Sequence, residues 1–334
     1  MKELKKYLSV IPEYACIGVL ILALVIAGLV SDVFYTAANL QNIMKQGAVL
    51  AILATGMGFI LISGCLDLTV GINMAICGLI AVIFQDSLGV GGAILLAFFT
   101  GIAISCINLF VVYITKGRAM EIMMLTFGLK MAYRGLAQAF TDNMTFRCGT
   151  KGAFAVLGKG MVWGWLPVIV IIMLAMALIL GIVLGKMKFG REVTYIGMNA
   201  EASRLAGVGI TRVRFFCFII SGICAAAAGI LLASRTSAIK ALSGDNYEME
   251  AVSALVIGGY SIAGGYGSVW RCIVGVYVYT ILGNILNLLG AGAYLQTLVE
   301  GVVLILAVWL DVYLRRVEEK ENEQNKSKTF SKNL

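Results

Sequence analysis

The chain has 334 residues, 60% of them hydrophobic and only 13% charged, with a mean hydropathy of +0.94 and a formal net charge of +8. Soluble domains carry about 25% charged residues, so this composition excludes an ordinary water-soluble globule and indicates a polytopic membrane protein. Histidine is absent and no CxxC occurs, which excludes Ser/His/Asp and Cys/His catalysis and leaves no metal-ligand spacing.

A membrane helix needs about 20 apolar residues and satisfies its own backbone groups, whereas a membrane strand alternates apolar and polar residues. Runs such as PVIVIIMLAMALILGIVLG (Pro167–Gly185) do not alternate. The expected fold class is therefore all-α, a polytopic transmembrane helical bundle. Lys2, Lys5 and Lys6 precede the apolar run Tyr14–Val30, which is nearer a full span than a signal-peptide core and reads as an uncleaved first helix. Ten candidate spans follow one another at 14–31, 47–63, 69–84, 91–114, 120–139, 163–185, 213–233, 248–263, 270–289 and 293–313. The second, third, eighth and ninth are short and interrupted by glycine. Residues 1–314 form one membrane domain, and 315–334 a polar tail expected to be disordered.

Ten spans put both termini on one side, and the basic residues choose the cytoplasmic side. Inside fall Lys116, Arg118, Lys186, Lys188, Arg191, Arg204, Arg212, Arg214, Arg271, Arg315 and Arg316, besides the N-terminal lysines. Outside fall Lys45, Arg147, Lys151, Lys159, Arg235 and Lys240; the loop 140–162 fits least well. The positive charge is thus a topology signal, not a nucleic-acid one. Seven cysteines lie in or beside apolar runs and read as small packing residues, whereas Cys148 lies in a polar loop.

Four segments carry the functional argument. Ser63-Gly64-Cys65-Leu66-Asp67-Leu68-Thr69-Val70-Gly71 interrupts an apolar run. Asp67 can cap the next helix or meet substrate, and a carboxylate at membrane depth is a functional candidate. The fifth span carries Lys130 and Arg134 one turn apart, with substrate, a carboxylate such as Glu121, or headgroups as possible partners. Near the eighth span, Asp245 or Asn246 can act as N-cap with Glu248 in the first turn, before a Gly-rich turn that follows no strand and so is a weak phosphate cradle. In the basic segment 190–214, Asn199 is an N-cap, Glu201 suits the first turn, Ala200, Ala202, Ser203 and Ala206 are small, Leu205 is an apolar knob beside Arg204, and Gly207 ends the helix. Two turns are too short to hold alone in water. Such a helix lies on lipid or docks on a protein, and its small apolar face favours docking. No GxxxxGK[ST] loop is present, so ATP is not bound in the P-loop manner.

In this order the segments resemble the permease subunits of ABC importers of the ribose/xylose/galactose branch. The resemblance covers about residues 40–313 and is carried by GMGFILISGCLDLTVG (56–71), LTFGLKMAYRGLAQAFTD (125–142), GREVTYIGMNAEASRLAGV (190–208) and YEMEAVSALVIGGYSIAGGYGSVW (247–270). It resembles a family pattern of a SGGIDLSVG-like break, an LGxxxxxRG segment, a GNxxAARLSGI-like helix and a YELDAIAAVVLGG-like stretch. Cys65 departs from it, standing where glycine is usual. The resemblance implies a bacterial cytoplasmic-membrane permease that pairs with an identical or paralogous subunit. It implies a cytoplasmic ATPase that binds ATP-Mg, this chain holding no cofactor, and an extracytoplasmic solute-binding protein. The cargo would be a sugar or sugar-like polar solute. Residues Asn199–Gly207 would be the coupling helix. Candidate pathway residues are Ser63, Asp67, Asn73, Thr126, Lys130, Arg134, Glu250, Asn284, Asn287 and Glu300. The competing class is an ion-coupled carrier using Asp67, Glu250 and Glu300; a non-transporting scaffold is a third.

Overall fold

The computed structural model describes residues 2–114, 119–149, 152–292, 294–299, 301–306 and 308–309. Glu300, Lys116, Arg118, Lys151 and the tail 315–334 lie outside the described residues. In chain order the helices are α1 (Lys2–Val30), α2 (Ala37–Ile62), α3 (Val70–Ile83), α4 (Gln85–Ile114), α5 (Ala119–Thr141), α6 (Ala153–Lys159), α7 (Val168–Lys186), α8 (Lys188–Met198), α9 (Ala200–Leu205), α10 (Ile210–Thr236), α11 (Tyr247–Ile257) and α12 (Val269–Leu288). A further apolar helical stretch runs over Tyr294–Leu306. Sheet is confined to two-residue pairings. One of them, β1 (Phe146–Arg147) against β4 (Ala238–Ile239), clips the loop after α5 to the end of α10.

Among the described residues, five segments are long and apolar enough to cross a membrane: α2, Gln85–Phe110 of α4, α7, α10 and α12. The chain is a helical membrane protein. The second span begins at Ala37, ten residues earlier than the hydropathy suggested, so Lys45 lies within α2 and not in an outer loop. The eighth span, expected over 248–263, is only the 11-residue α11, about 16 Å of helix and roughly half a bilayer. Within the segment 140–162, which fitted the charge rule poorly, lies α6. Ser234 of α10 accepts from the Gly158 amide at 2.8 Å and donates to the Phe154 carbonyl at 2.5 Å.

At the centre, α10 packs on α2, α3 and α4, and α2 also packs on α7, α11 and α12. Both centres are buried because they carry small residues at the contacts: Ser221 and Cys224 of α10 lie against Gly56 of α2, and small side chains let backbones approach without a hydrophobic driving force in lipid.

Four helices close in the same way. After α2, Gly64 adopts φ 77°, its amide bonds the Leu61 carbonyl, and the Cys65 amide bonds that of Ile60. The pattern repeats at Gly207 after α9, Gly259 after α11 and Gly290 after α12. It is the left-handed glycine closure that satisfies orphan carbonyls within the last turn. Such closures let helices stop inside an apolar body, which a broken-helix fold requires.

Candidate functional site

The polar break between α2 and α3 runs alongside α11. At one end, the Ile62 carbonyl accepts from the Gly265 amide beyond the C-terminus of α11. At the other, Gly71 abuts Gly244 and Glu248 at its N-terminus. A Cβ on Gly71 would collide with the Glu248 carboxylate and the Gly244 carbonyl. Glycine is therefore required at 71 for close approach, whereas at 64 it is required for a positive φ. Between these two contacts the chain leaves helical geometry: Gly64 takes a positive φ, residues 65–67 have no regular structure, and residues 68–69 form a turn before α3 begins at Val70.

Asp67, only 2% exposed, accepts from the Thr69 amide at 2.9 Å and the Thr69 hydroxyl at 2.7 Å. That closes a turn within the break; the carboxylate does not reach the first amides of α3, whose N-cap is Thr69. Asn108 of α4 donates to Thr69 Oγ1 at 2.6 Å, and Tyr133 of α5 donates to Asn108 Oδ1 at 2.9 Å. The Leu68 amide bonds Thr126 Oγ1 of α5 at 3.2 Å. A connected polar network thus joins the break to α4 and α5, as buried polar groups in an apolar medium demand.

Beside it stands a ladder of charge. Lys130 forms an ion pair with Glu248, in the first turn of α11, and Arg134 pairs with Asp245 at 3.1 Å. Glu248 is 1% exposed, and its Oε2 has no hydrogen-bond partner. Among the alternatives raised from sequence, Lys130 and Arg134 thus meet carboxylates, those of Glu248 and Asp245. Asn246 occupies the N-cap position of α11, in a left-handed conformation and without a side-chain cap.

The structure brings together Asp67, Thr126, Lys130 and Arg134 from the pathway candidates. Ser63 instead bonds the Ile60 carbonyl at 2.7 Å, and Asn73 bonds the Gly101 carbonyl at 3.3 Å to tie α3 to α4. Asn284 exchanges two bonds with Asn39 of α2, at 3.0 and 2.8 Å, and exposed Asn287 accepts from Gln296. Those two lie late on α12, away from the break. Glu250 is half-buried on α11, one residue pair beyond Glu248. Sequence reasoning gave Asp245 and Glu248 only helix-capping and first-turn roles, missing their pairing with Lys130 and Arg134, and did not single out Thr69, Asn108 or Tyr133. A signal for the first two was present: acids three apart and cations four apart each cover one helical turn, with opposite signs.

The second candidate site is α9. Asn199 caps it by accepting from the Ala202 amide at 2.9 Å, Arg204 pairs with Glu201 at 2.6 Å, and Gly207, at φ 82°, closes it. The expected helix, about Ala200 to Ala206, is matched by Ala200–Leu205 with Ala206 as C-cap. The segment before it is a separate amphipathic helix, α8, which buries Val193 and Ile196. Leu205 (81% exposed) and Met198 (70%) are bare apolar side chains beside a shallow hollow lined by Tyr195, Asn199, Ala202 and Val208.

Broken helices around a buried polar and ionic network, with a rigid capped helix displayed at one end, define a membrane permease. The family described as "Branched-chain amino acid transport system / permease component" matches residues 39–308, and the chain belongs to that family as a multi-pass inner-membrane permease. Among curated proteins, it is 33% identical to the ribose import permease of Bacillus subtilis over 88% of this chain and 91% of that one. It is 32% identical to the ribose import permease of Escherichia coli K12 (90% and 93%) and to the L-arabinose transport system permease of the same strain (85% and 86%). No solved structure matches the chain.

Proposed function

We propose that the chain is the pore-forming permease of an ATP-driven importer for a sugar or sugar-like polar solute. It would form the pathway with a second copy or a paralogue, receive solute from an extracytoplasmic binding protein, and be driven by a cytoplasmic ATPase that holds ATP-Mg. With the N-terminus cytoplasmic and six crossings ahead of it, α9 would face the ATPase. The observation that carries the reading is α9 itself: a six-residue helix, capped at both ends, with Leu205 and Met198 bare to the surroundings. An ion-coupled carrier has no need of it.

The relatives named for ribose and L-arabinose make a pentose the first substrate to test. The family's printed description points to branched-chain amino acids, but a network of hydroxyl, amide and charged groups suits a polyhydroxylated solute better than an aliphatic side chain, which would leave those groups unpaired.

The test is capture of the cognate ATPase by the detergent-solubilised chain. Arg204→Glu with Leu205→Asp is expected to abolish capture without changing the elution profile of the permease. Uptake driven by a sodium or proton gradient in vesicles with no ATPase present would overturn the reading. Titrating the partner binding protein against pentoses, hexoses, nucleosides and branched-chain amino acids identifies the cargo.

A further inference from the structure

A hollow of about 680 Å³ forms a groove between the last turns of α4 and the first turns of α10. Its polarity is graded along the helices. Leu109, Phe110 and Phe216 line the inner part, and Tyr113, Thr211 and Arg212 stand at the end where both helices leave the apolar body. The aromatic wall is fixed. Phe216 meets Phe215 edge-on at 5.4 Å and Phe189 edge-on at 6.0 Å between ring centroids. Among the described residues, Arg212 has no carboxylate within ion-pair distance, although it lies exposed in a first turn that carries no acid. In the sequence Lys116 and Arg118 follow Tyr113 within five residues.

We propose that this groove binds an anionic phospholipid, with the phosphate on Arg212 and one acyl chain along Leu109, Phe110 and Phe216. Both helices span the bilayer, so the groove opens to lipid and its occupant is a lipid molecule. The choice among lipids follows from charge. A guanidinium without a protein counter-charge, at the polar end of an apolar groove, complements a phosphodiester through charge-assisted hydrogen bonds. A net negative headgroup is favoured over a zwitterionic one, whose own ammonium group is repelled by the arginine. The hydroxyls of Tyr113 and Thr211 add donors at the same level. Nothing in this inference depends on the transported solute or on the ATPase.

The experiment is native mass spectrometry of the full chain, purified in detergent and titrated with phosphatidylglycerol or phosphatidylcholine of identical acyl chains. The wild type is expected to retain phosphatidylglycerol preferentially, and Arg212→Gln to lower that retention about tenfold, the loss of one charge-assisted contact. Lys188→Gln removes an exposed cation outside the groove and is expected to leave retention unchanged. Equal retention of the two lipids by the wild type overturns the proposal, as does undiminished retention by Arg212→Gln or an equal loss in Lys188→Gln. Displacement of the lipid by excess inorganic phosphate would reduce the site to a free-phosphate site and overturns it too.

Discussion

Asp67 has its negative charge spent on one neighbour. Oδ1 takes both the amide and the hydroxyl of Thr69, so the carboxylate holds the turn that starts α3. An asparagine oxygen can accept the same two bonds, whereas alanine accepts neither. Asp67→Asn is therefore expected to melt at the wild-type temperature, and Asp67→Ala to lose about 1–2 kcal/mol, read as thermal loss of the monodisperse peak in size-exclusion chromatography. Uptake lost in Asp67→Asn at unchanged melting assigns the charge itself to the pathway. Asp67 was legible as a special residue because a carboxylate is rare in an apolar run. The network beyond Thr69 was not, because Asn108, which bonds Thr69, and Tyr133, which bonds Asn108, are brought in by packing of α4 and α5.

At the scale of elements, α5 is joined to the short 3-10 turn Ala241–Gly244 and the start of α11 by polar contacts as much as by packing. Its outward side chains Met124, Phe127, Met131 and Phe140 are exposed. A buried ion pair is costly to break from one side and nearly neutral to replace from both. Lys130→Met, which strands Glu248, is expected to cost about 3–5 kcal/mol, and Lys130→Met with Glu248→Gln to recover most of it. The thermal melts of the two single variants and the double variant form the cycle that measures the coupling. Helix positions for α4, α5 and α7 could be read from hydropathy. The end of α11 could not, because the apolar pattern runs on to Ala263 while the Gly258–Gly259 closure stops the helix.

For the whole molecule, the single span α7, 19 residues and about 28 Å long, separates Trp163 from Leu205. Their side chains are 82% and 81% exposed. Single cysteines at the two positions, placed in a background with the native cysteines replaced, are expected to react with a membrane-impermeant maleimide from opposite faces. Trp163→Cys should label in intact cells and Leu205→Cys only in inverted vesicles. Labelling of both from one face would refute the topology and with it the assignment of α9 to the ATPase side.

Composition alone determined that this is a helical membrane protein, since so few charges and such long unalternating apolar runs are stable only in lipid. Local patterns fixed α9 almost to the residue, because caps act through amides two or three positions away. The tertiary structure decided which charges meet. Lys130 and Glu248 are 118 positions apart in the chain, and their pairing depends on α5 lying across the N-terminus of α11, which no local preference encodes. It also decided that the break at 63–71 lies alongside α11, because its two ends are held by contacts far along the chain, Ile62 with Gly265 and Gly71 with Gly244 and Glu248.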